Sequence, residues 1–394
     1  MKYHISDTMK TMQGSAIREM FKTMAKPGII SFAGGNPSPL TFPVEEIKEI
    51  AQKVLTEMPS LCLQYGITEG YTPLIEQVEA RLKKQGIYRE GSNTIITTGG
   101  QQGLDLAVKS ILNPGDTIIV EEPSFIGALN SFRTYGAVLK GVPVEDDGMN
   151  LDKLEEILKS DDRVRIIYVI PTFQNPTGIT MSLEKRKKLL SLAYQYNVVI
   201  FEDNPYGELR FKGENVPTLK SMDTENAVMY FGSFSKILAP GLRLGFTHGI
   251  PEIMEKMVVA KQVNDVHTNL LTQVIASEWL KTCDIDAHIA KARELYGHQC
   301  ELMLSEMDKH FPDFVKYTRP EGGLFIWCTL PEGIDAAGIV KKGVEKNVAF
   351  VPGSNFMTDM SKPCNCFRLN YSTMTDDKII EGIGILAEVL KENL

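Results

Sequence analysis

The chain has little that would mark a secreted, membrane-bound or nucleic-acid-binding protein. Its 394 residues hold only six cysteines, at irregular positions, which suits reduced thiols better than a disulfide framework in a chain this large. Cys364-x-Cys366 has no second Cys pair or His cluster near it in sequence, so both are read as ordinary residues beside a strand and no metal site is expected. No apolar stretch approaches the roughly 20 residues that span a bilayer, and no membrane association is expected. The first twenty residues, with Lys2, Asp7, Lys10, Arg18 and Glu19 spread through them, lack a signal peptide's apolar centre; the expected location is cytoplasmic. A formal charge of −8, with no basic run at either end, argues against a nucleic-acid surface. No internal repeat, low-complexity tract or long linker interrupts the chain.

What the chain does have is alternation. From about residue 45 to 250, helix and strand patterns succeed one another: amphipathic segments to Met58 and from Leu74 to Lys84, then apolar strands at Thr94–Thr97, Thr117–Val120, Val164–Ile170 and Asn197–Glu202. Continuous apolar strands between helices predict a mostly parallel sheet covered on both faces. A long helical stretch from Pro251 to His310 follows. Beyond it, a turn at Glu321-Gly322-Gly323, a helix from Ile339 to Glu345 and strands at Val348–Gly353 and Phe367–Tyr371 predict a smaller α+β domain. The expectation is an α/β chain of two packed domains. Residues 45–287 form the large one; residues 1–44 and 288–394 form an amino-terminal arm with the small one.

Residues able to carry chemistry collect at the strand ends. Asn175-Pro176-Thr177-Gly178 follows one apolar strand and Asp203-Asn204-Pro205-Tyr206 ends another, which places them at the sheet edge where open α/β sheets bind ligands. Gly99-Gly100-Gln101 joins a strand to a helix, leaving free N–H groups and a positive dipole end toward an anion. Lys236 lies in Gly232-Ser233-Phe234-Ser235-Lys236, with Arg243 seven residues on. Partial desolvation would leave such a lysine as an amine able to attack an aldehyde, and the serine hydroxyls and guanidinium suit a phosphate. Taken one at a time these are also an exposed Ser/Gly turn, an Asn-Pro turn opener and a common strand-end Asp. Phe125, after Glu122-Pro123-Ser124, would equally lie flat on a planar ring or pack in a core.

Together, in this order, the segments resemble the fold-type-I pyridoxal-phosphate enzymes of the class I/II aminotransferase family, with matching motifs from about residue 31 to 371. The resemblance implies pyridoxal 5'-phosphate as cofactor, Lys236 as its Schiff-base lysine and proton shuttle, Asp203 on the pyridine nitrogen, and Asn175 and Tyr206 on the ring's phenolic oxygen. It implies Gly100, Gln101, Ser233, Ser235 and Arg243 on the phosphate, with Phe125 stacked on the ring. Tyr65, in Gln64-Tyr65-Gly66, matches the tyrosine that reaches the neighbouring subunit's phosphate, which implies a homodimer; a buried turn tyrosine is the alternative. Arg368 matches the arginine for the substrate α-carboxylate, and Gly34-Gly35-Asn36-Pro37 the amino-terminal segment that closes over the substrate.

The implied activity moves an amino group between an L-amino acid and a 2-oxo acid in a ping-pong cycle. Ser15-Ala16-Ile17-Arg18-Glu19-Met20 resembles the amino-terminal helix of the aminoadipate and kynurenine branch. Arg18 would there meet a distal carboxylate, favouring 2-aminoadipate and glutamate while admitting aromatic or aliphatic donors; an exposed intrahelix pair is the alternative. A cysteine-conjugate β-lyase would share nearly all of these motifs. A cofactor-retaining regulatory module is disfavoured, since the catalytic-type segments begin within about 35 residues, too few for a DNA-binding domain.

Overall fold

The computed structural model describes residues 3–11 and 28–394. Its strands are, in chain order, β1 (Ile30–Ser31), β2 (Asn93–Thr97), β3 (Thr117–Glu122), β4 (Val138–Glu145), β5 (Gly148–Met149), β6 (Val164–Val169) and β7 (Val199–Asp203). After these come β8 (Val228–Ser233), β9 (Gly245–Gly249), β10 (Lys316–Tyr317), β11 (Phe325–Thr329), β12 (Val348–Ala349), β13 (Val351–Pro352) and β14 (Cys366–Asn370).

Eight strands form one sheet in the order β2-β9-β8-β7-β6-β3-β4-β5. The five from β8 to β4 run parallel; β9 is antiparallel to both neighbours and β5 to β4. Central strands are covered on both faces, so Ile166, Ile167, Tyr168 and Val169 are all buried, which is why β6 reads as an unbroken apolar run. Parallel running brings the carboxyl ends of β3, β6, β7 and β8 to one edge. The antiparallel pair adds to that edge: Ser233 lies opposite Gly245, and Gly245 opposite Thr97. Arg243 and the turn at Gly99 therefore arrive beside Lys236 although β2 is more than 100 residues earlier in the sequence.

A second, antiparallel sheet runs β10-β11-β14-β13. The sequence pattern at Val348–Gly353 suggests one strand; the structure splits it between two partners. Val348 and Ala349 pair with β1, while Val351 and Pro352 pair with β14. The Phe32 N–H donates to Ala349 O and the Asn370 N–H to Phe32 O, each at 2.8 Å. The segment from Ile30 onward is thus stitched to the small sheet and carried to the strand edge of the large one.

The stretch from Pro251 to His310 is three helices, Pro251–Asn264, Leu270–Thr282 and Ile285–His310. The first break holds Val266 in the left-handed region at φ 65°, which a β-branched residue does not tolerate inside a helix. A final helix, Asp376–Asn393, is absent from the sequence reading. It buries Ile379, Ile383, Leu386 and Leu390, an i, i+4, i+7, i+11 stripe, and packs against the Ile285–His310 and Ala336–Glu345 helices. No helix among the described residues is long and apolar enough to cross a membrane.

Candidate active site

The strand edge encloses a cavity of about 420 Å³. It is lined by Gly35, Gly100, Gln101, Phe125, Asn175, Asp203, Tyr206, Ser233, Ser235, Lys236, Arg243 and Arg368. These are all of the residues singled out in the sequence except Tyr65 and Arg18. Tyr65 is 79% exposed and stands edge-on to His267 at 5.8 Å, away from the cavity. Arg18 lies outside the described residues. A larger groove of about 690 Å³, lined in part by Arg81, Asn204 and Arg293, contains none of the expected site residues.

One wall is an anion cradle. Gly99 is the N-cap of the Gly100–Ile111 helix at φ 75° and ψ 167°, a backbone conformation that favours glycine, and a Cβ there would press on Arg243 Nη2 at 2.6 Å. Arg243 donates to Thr98 O at 3.4 Å and to Pro240 O at 3.5 Å, and no carboxylate pairs with it among the described residues. The Ser235 N–H donates to Ser233 Oγ at 3.1 Å, folding the loop so that both hydroxyls border the cavity. Gln101 Nε2 donates to Gly127 O at 2.9 Å. Gly127 leaves room for Phe125: a Cβ there would lie 2.4 Å from Phe125 Cζ, whereas with hydrogen the ring can settle along the cavity wall.

Three further groups in the cavity are charged or chargeable and lack an ionic partner. Lys236 Nζ donates to the Gly35 carbonyl at 2.6 Å; burial first, then the Arg368 and Arg243 guanidinium groups, lower its pKa to about 8. Asp203 is buried at the end of β7, and burial raises its carboxyl to about 7 while a hydrogen bond from Tyr168 pulls the other way. Arg368 is 3% exposed. Its Nη1 donates to Asn175 Oδ1 and its Nη2 to Ala33 O, each at 2.8 Å, while Nε has no partner. Phe325 and Phe356 flank the guanidinium, with ring centroids 4.1 and 4.9 Å from Cζ. Burial lowers the Arg368 pKa to about 10, and no carboxylate balances its charge among the described residues. A buried cation held only by neutral oxygens is a site for an anion.

Tyr206 is buried beside Asn175; burial pushes its phenol up, opposed first by the Arg368 charge. Sequence reasoning missed Tyr168, Phe325 and Phe356. Tyr168 carried a signal: a phenol in an otherwise aliphatic buried strand needs a hydrogen-bond partner, and Asp203 on the adjacent strand is it. The two phenylalanines carried none, being ordinary core residues until Arg368 is placed between them.

This donor set fits a pyridoxal phosphate. A phosphate cradle, an amine of lowered pKa and a buried carboxylate in want of a cation meet in one cavity. The fold and site together are those of a fold-type-I pyridoxal-phosphate enzyme. The description "Aminotransferase class I and II" matches residues 27–386. The chain is 44% identical to aromatic-amino-acid aminotransferase 1 of Thermococcus litoralis, covering 99% of this chain and 95% of that one. It is 42% identical to the 2-aminoadipate transaminase of Thermus thermophilus, over 96% and 94%. The crystal structure of Pyrococcus horikoshii kynurenine aminotransferase in complex with PMP superposes with a TM-score of 0.95 at 42% identity, over 99% of this chain and 97% of that one. The chain belongs to the class I and II aminotransferase family and is a pyridoxal-phosphate-dependent aminotransferase.

Proposed function

We propose that the protein transfers an amino group from 2-aminoadipate, or from an aromatic or aliphatic L-amino acid, to a 2-oxo acid such as 2-oxoglutarate, the first product leaving before the second substrate enters. The observation that carries this is Arg368: a buried guanidinium without a carboxylate, opening on the same cavity as the Lys236 amine. A fork there holds the α-carboxylate common to amino and 2-oxo acids, and Lys236 is then placed beside Cα.

Pyridoxal phosphate, when bound, supplies the aldehyde that takes up the amino group and a ring that spreads the electron pair released at Cα. The chain's own residues do the rest. Gly100, Gln101, Ser233, Ser235 and Arg243 would hold the phosphate, Phe125 would cover the ring, Asn175 and Tyr206 would meet its phenolic oxygen, and Asp203 would face its nitrogen. Lys236 Nζ would take the proton from the substrate Cα, which an amine of pKa about 8 does near neutral pH. The segment at Gly35, stitched through Phe32 to both β12 and β14, shuts water out. Residues 45–287 act as the cofactor-binding unit, and residues 1–44 with 288–394 as the unit closing over the substrate.

The relatives' names span aromatic, 2-aminoadipate and kynurenine substrates, which supports a broad donor range. Leu63, Tyr65 and Val263 are 73%, 79% and 77% exposed, apolar side chains that a second copy of the chain would cover, and Tyr65 would then reach the partner's phosphate. Arg18 is proposed to meet a distal carboxylate. Replacing it in Arg18→Ala should raise the KM for 2-aminoadipate and glutamate about tenfold, the worth of one hydrogen bond to a charged group, and leave leucine nearly unchanged. Equal effects on both classes would remove that role, and release of pyruvate and ammonia from a β-substituted amino acid without an acceptor would favour the lyase.

A further inference from the structure

Asp203 depends on a neighbour that is not part of the cavity wall. Tyr168, on β6, donates its phenol hydrogen to Asp203 Oδ2 at 2.7 Å. The tyrosine is wholly buried, and its ring stands edge-on to Phe132 at 5.2 Å, so the hydroxyl has one direction in which to point. β6 and β7 are paired with Tyr168 opposite Phe201, which brings the phenol to a carboxylate two residues further along the next strand.

The other titratable groups that feel the Asp203 charge are Glu121 on β3, Tyr206 in the loop after β7, and Tyr230 on β8. None of them is a cation. Burial raises Glu121 to about 8, and its carboxylate accepts the Ile170 N–H at 2.9 Å. Burial likewise pushes Tyr168, Tyr206 and Tyr230 above the ordinary phenol range. Asp203 is therefore ringed by acids whose ionisation burial disfavours, with no cation among them. Among the described residues the Tyr168 hydroxyl is the one side-chain donor to its carboxylate.

We infer that Tyr168 is a positioning residue for the reaction, its hydroxyl fixing the Asp203 carboxylate and keeping it ionised so that the proton between Asp203 and the cofactor's ring nitrogen stays on the ring. The inference rests on the reading that Asp203 faces that nitrogen. A carboxylate in an apolar site that loses its only donor becomes a stronger base. The ring proton then passes to Asp203, leaving a neutral acid against a neutral ring, with no other reactant involved. A neutral ring draws electrons from Cα less well, and it raises the proton affinity of the nitrogen joined to Lys236. Tyr168 touches neither substrate nor reacting atoms; it acts through Asp203.

Tyr168→Phe removes one oxygen and keeps the ring against Phe132. In the holoenzyme, the pH midpoint of the visible cofactor band should move up by about one unit, the equivalent of one hydrogen bond to a charged group. The kcat should fall about tenfold with KM for the amino donor within about twofold, as expected when the interaction lost matters in the transition state. The thermal midpoint should stay close to that of the parent. An unmoved spectral midpoint overturns the inference, whether or not kcat or thermal stability falls, because packing alone would then account for Tyr168. Asp203→Asn, measured alongside, separates the two readings. If it leaves both midpoint and kcat as in the parent, the placement of Asp203 fails and the inference with it. If it abolishes turnover while Tyr168→Phe leaves the midpoint in place, the inference alone fails.

Discussion

Lys236→Ala is expected to lower kcat by about 10⁴-fold, the upper range for loss of a positioned proton-transfer group, while leaving the fold intact. The expectation follows from where the amine sits. Its contact is the Gly35 carbonyl at 2.6 Å, an acceptor that orients Nζ across the cavity without neutralising it. Burial and the two neighbouring guanidinium groups, Arg368 and Arg243, bring its pKa to about 8. A companion effect follows for the cofactor-free protein. The folded-state pKa lies below the unfolded value of about 10.4, so folding releases a proton between those two values and the lysine charge opposes folding. That opposition is full below pH 8 and fades as pH rises through about 10.4. The cofactor-free alanine variant should therefore melt above the parent at pH 7 and alongside it near pH 11. A variant within about tenfold of the parent's turnover would contradict the role of Lys236; a stability difference that grows with pH would contradict the sign of its pKa.

Arg368→Lys should lower kcat/KM by about 10²- to 10³-fold for every amino donor, the range seen when one partner of a buried charge pair is lost. The positive charge survives, but the planar fork does not, and the ammonium reaches neither Asn175 Oδ1 nor Ala33 O with the guanidinium's geometry. Because every donor carries the α-carboxylate, the loss should be uniform across aromatic, aliphatic and acidic side chains. This distinguishes Arg368 from Arg18, whose removal is expected to discriminate between them. Steady-state kinetics with phenylalanine, leucine and glutamate checks both expectations. A loss confined to glutamate would move Arg368 to the side-chain end of the substrate, and no loss would remove it from the site.

How much of this was legible in the sequence depends on whether a residue's meaning is local. Asp203 and Asn175 each stand just after an apolar strand, and parallel pairing alone collects such positions at one edge. Lys236 stands out because a lysine between hydroxyls, with Arg243 close by, is an unusual thing to place after a buried strand. Arg368 stands out within β14, where a charge between Phe367 and Leu369 requires a purpose. What depended on pairing was hidden. Tyr168 acquires a role only once β6 lies beside β7, and Phe325 and Phe356 only once two strands and a short helix converge on Arg368. The Val348–Pro352 segment reads as one strand because its apolar character is continuous; only the presence of β1 shows that it serves two partners. The Asp376–Asn393 helix carries Gly382 and Gly384, which weaken its local helical signal, and it is held by packing. Tyr65 is the opposite case: it is exposed and does not line the cavity of its own chain, and the role proposed for it requires a second copy.

The measurement that tests the central claim most directly is the absorbance spectrum of the purified protein on addition of L-glutamate and then of 2-oxoglutarate. The account predicts a visible cofactor band that bleaches with the amino acid, without any acceptor present, and returns with the 2-oxo acid, at one equivalent per Lys236. A protein that shows no such band even after pyridoxal phosphate is supplied, or whose band fails to bleach with any amino donor, would contradict it.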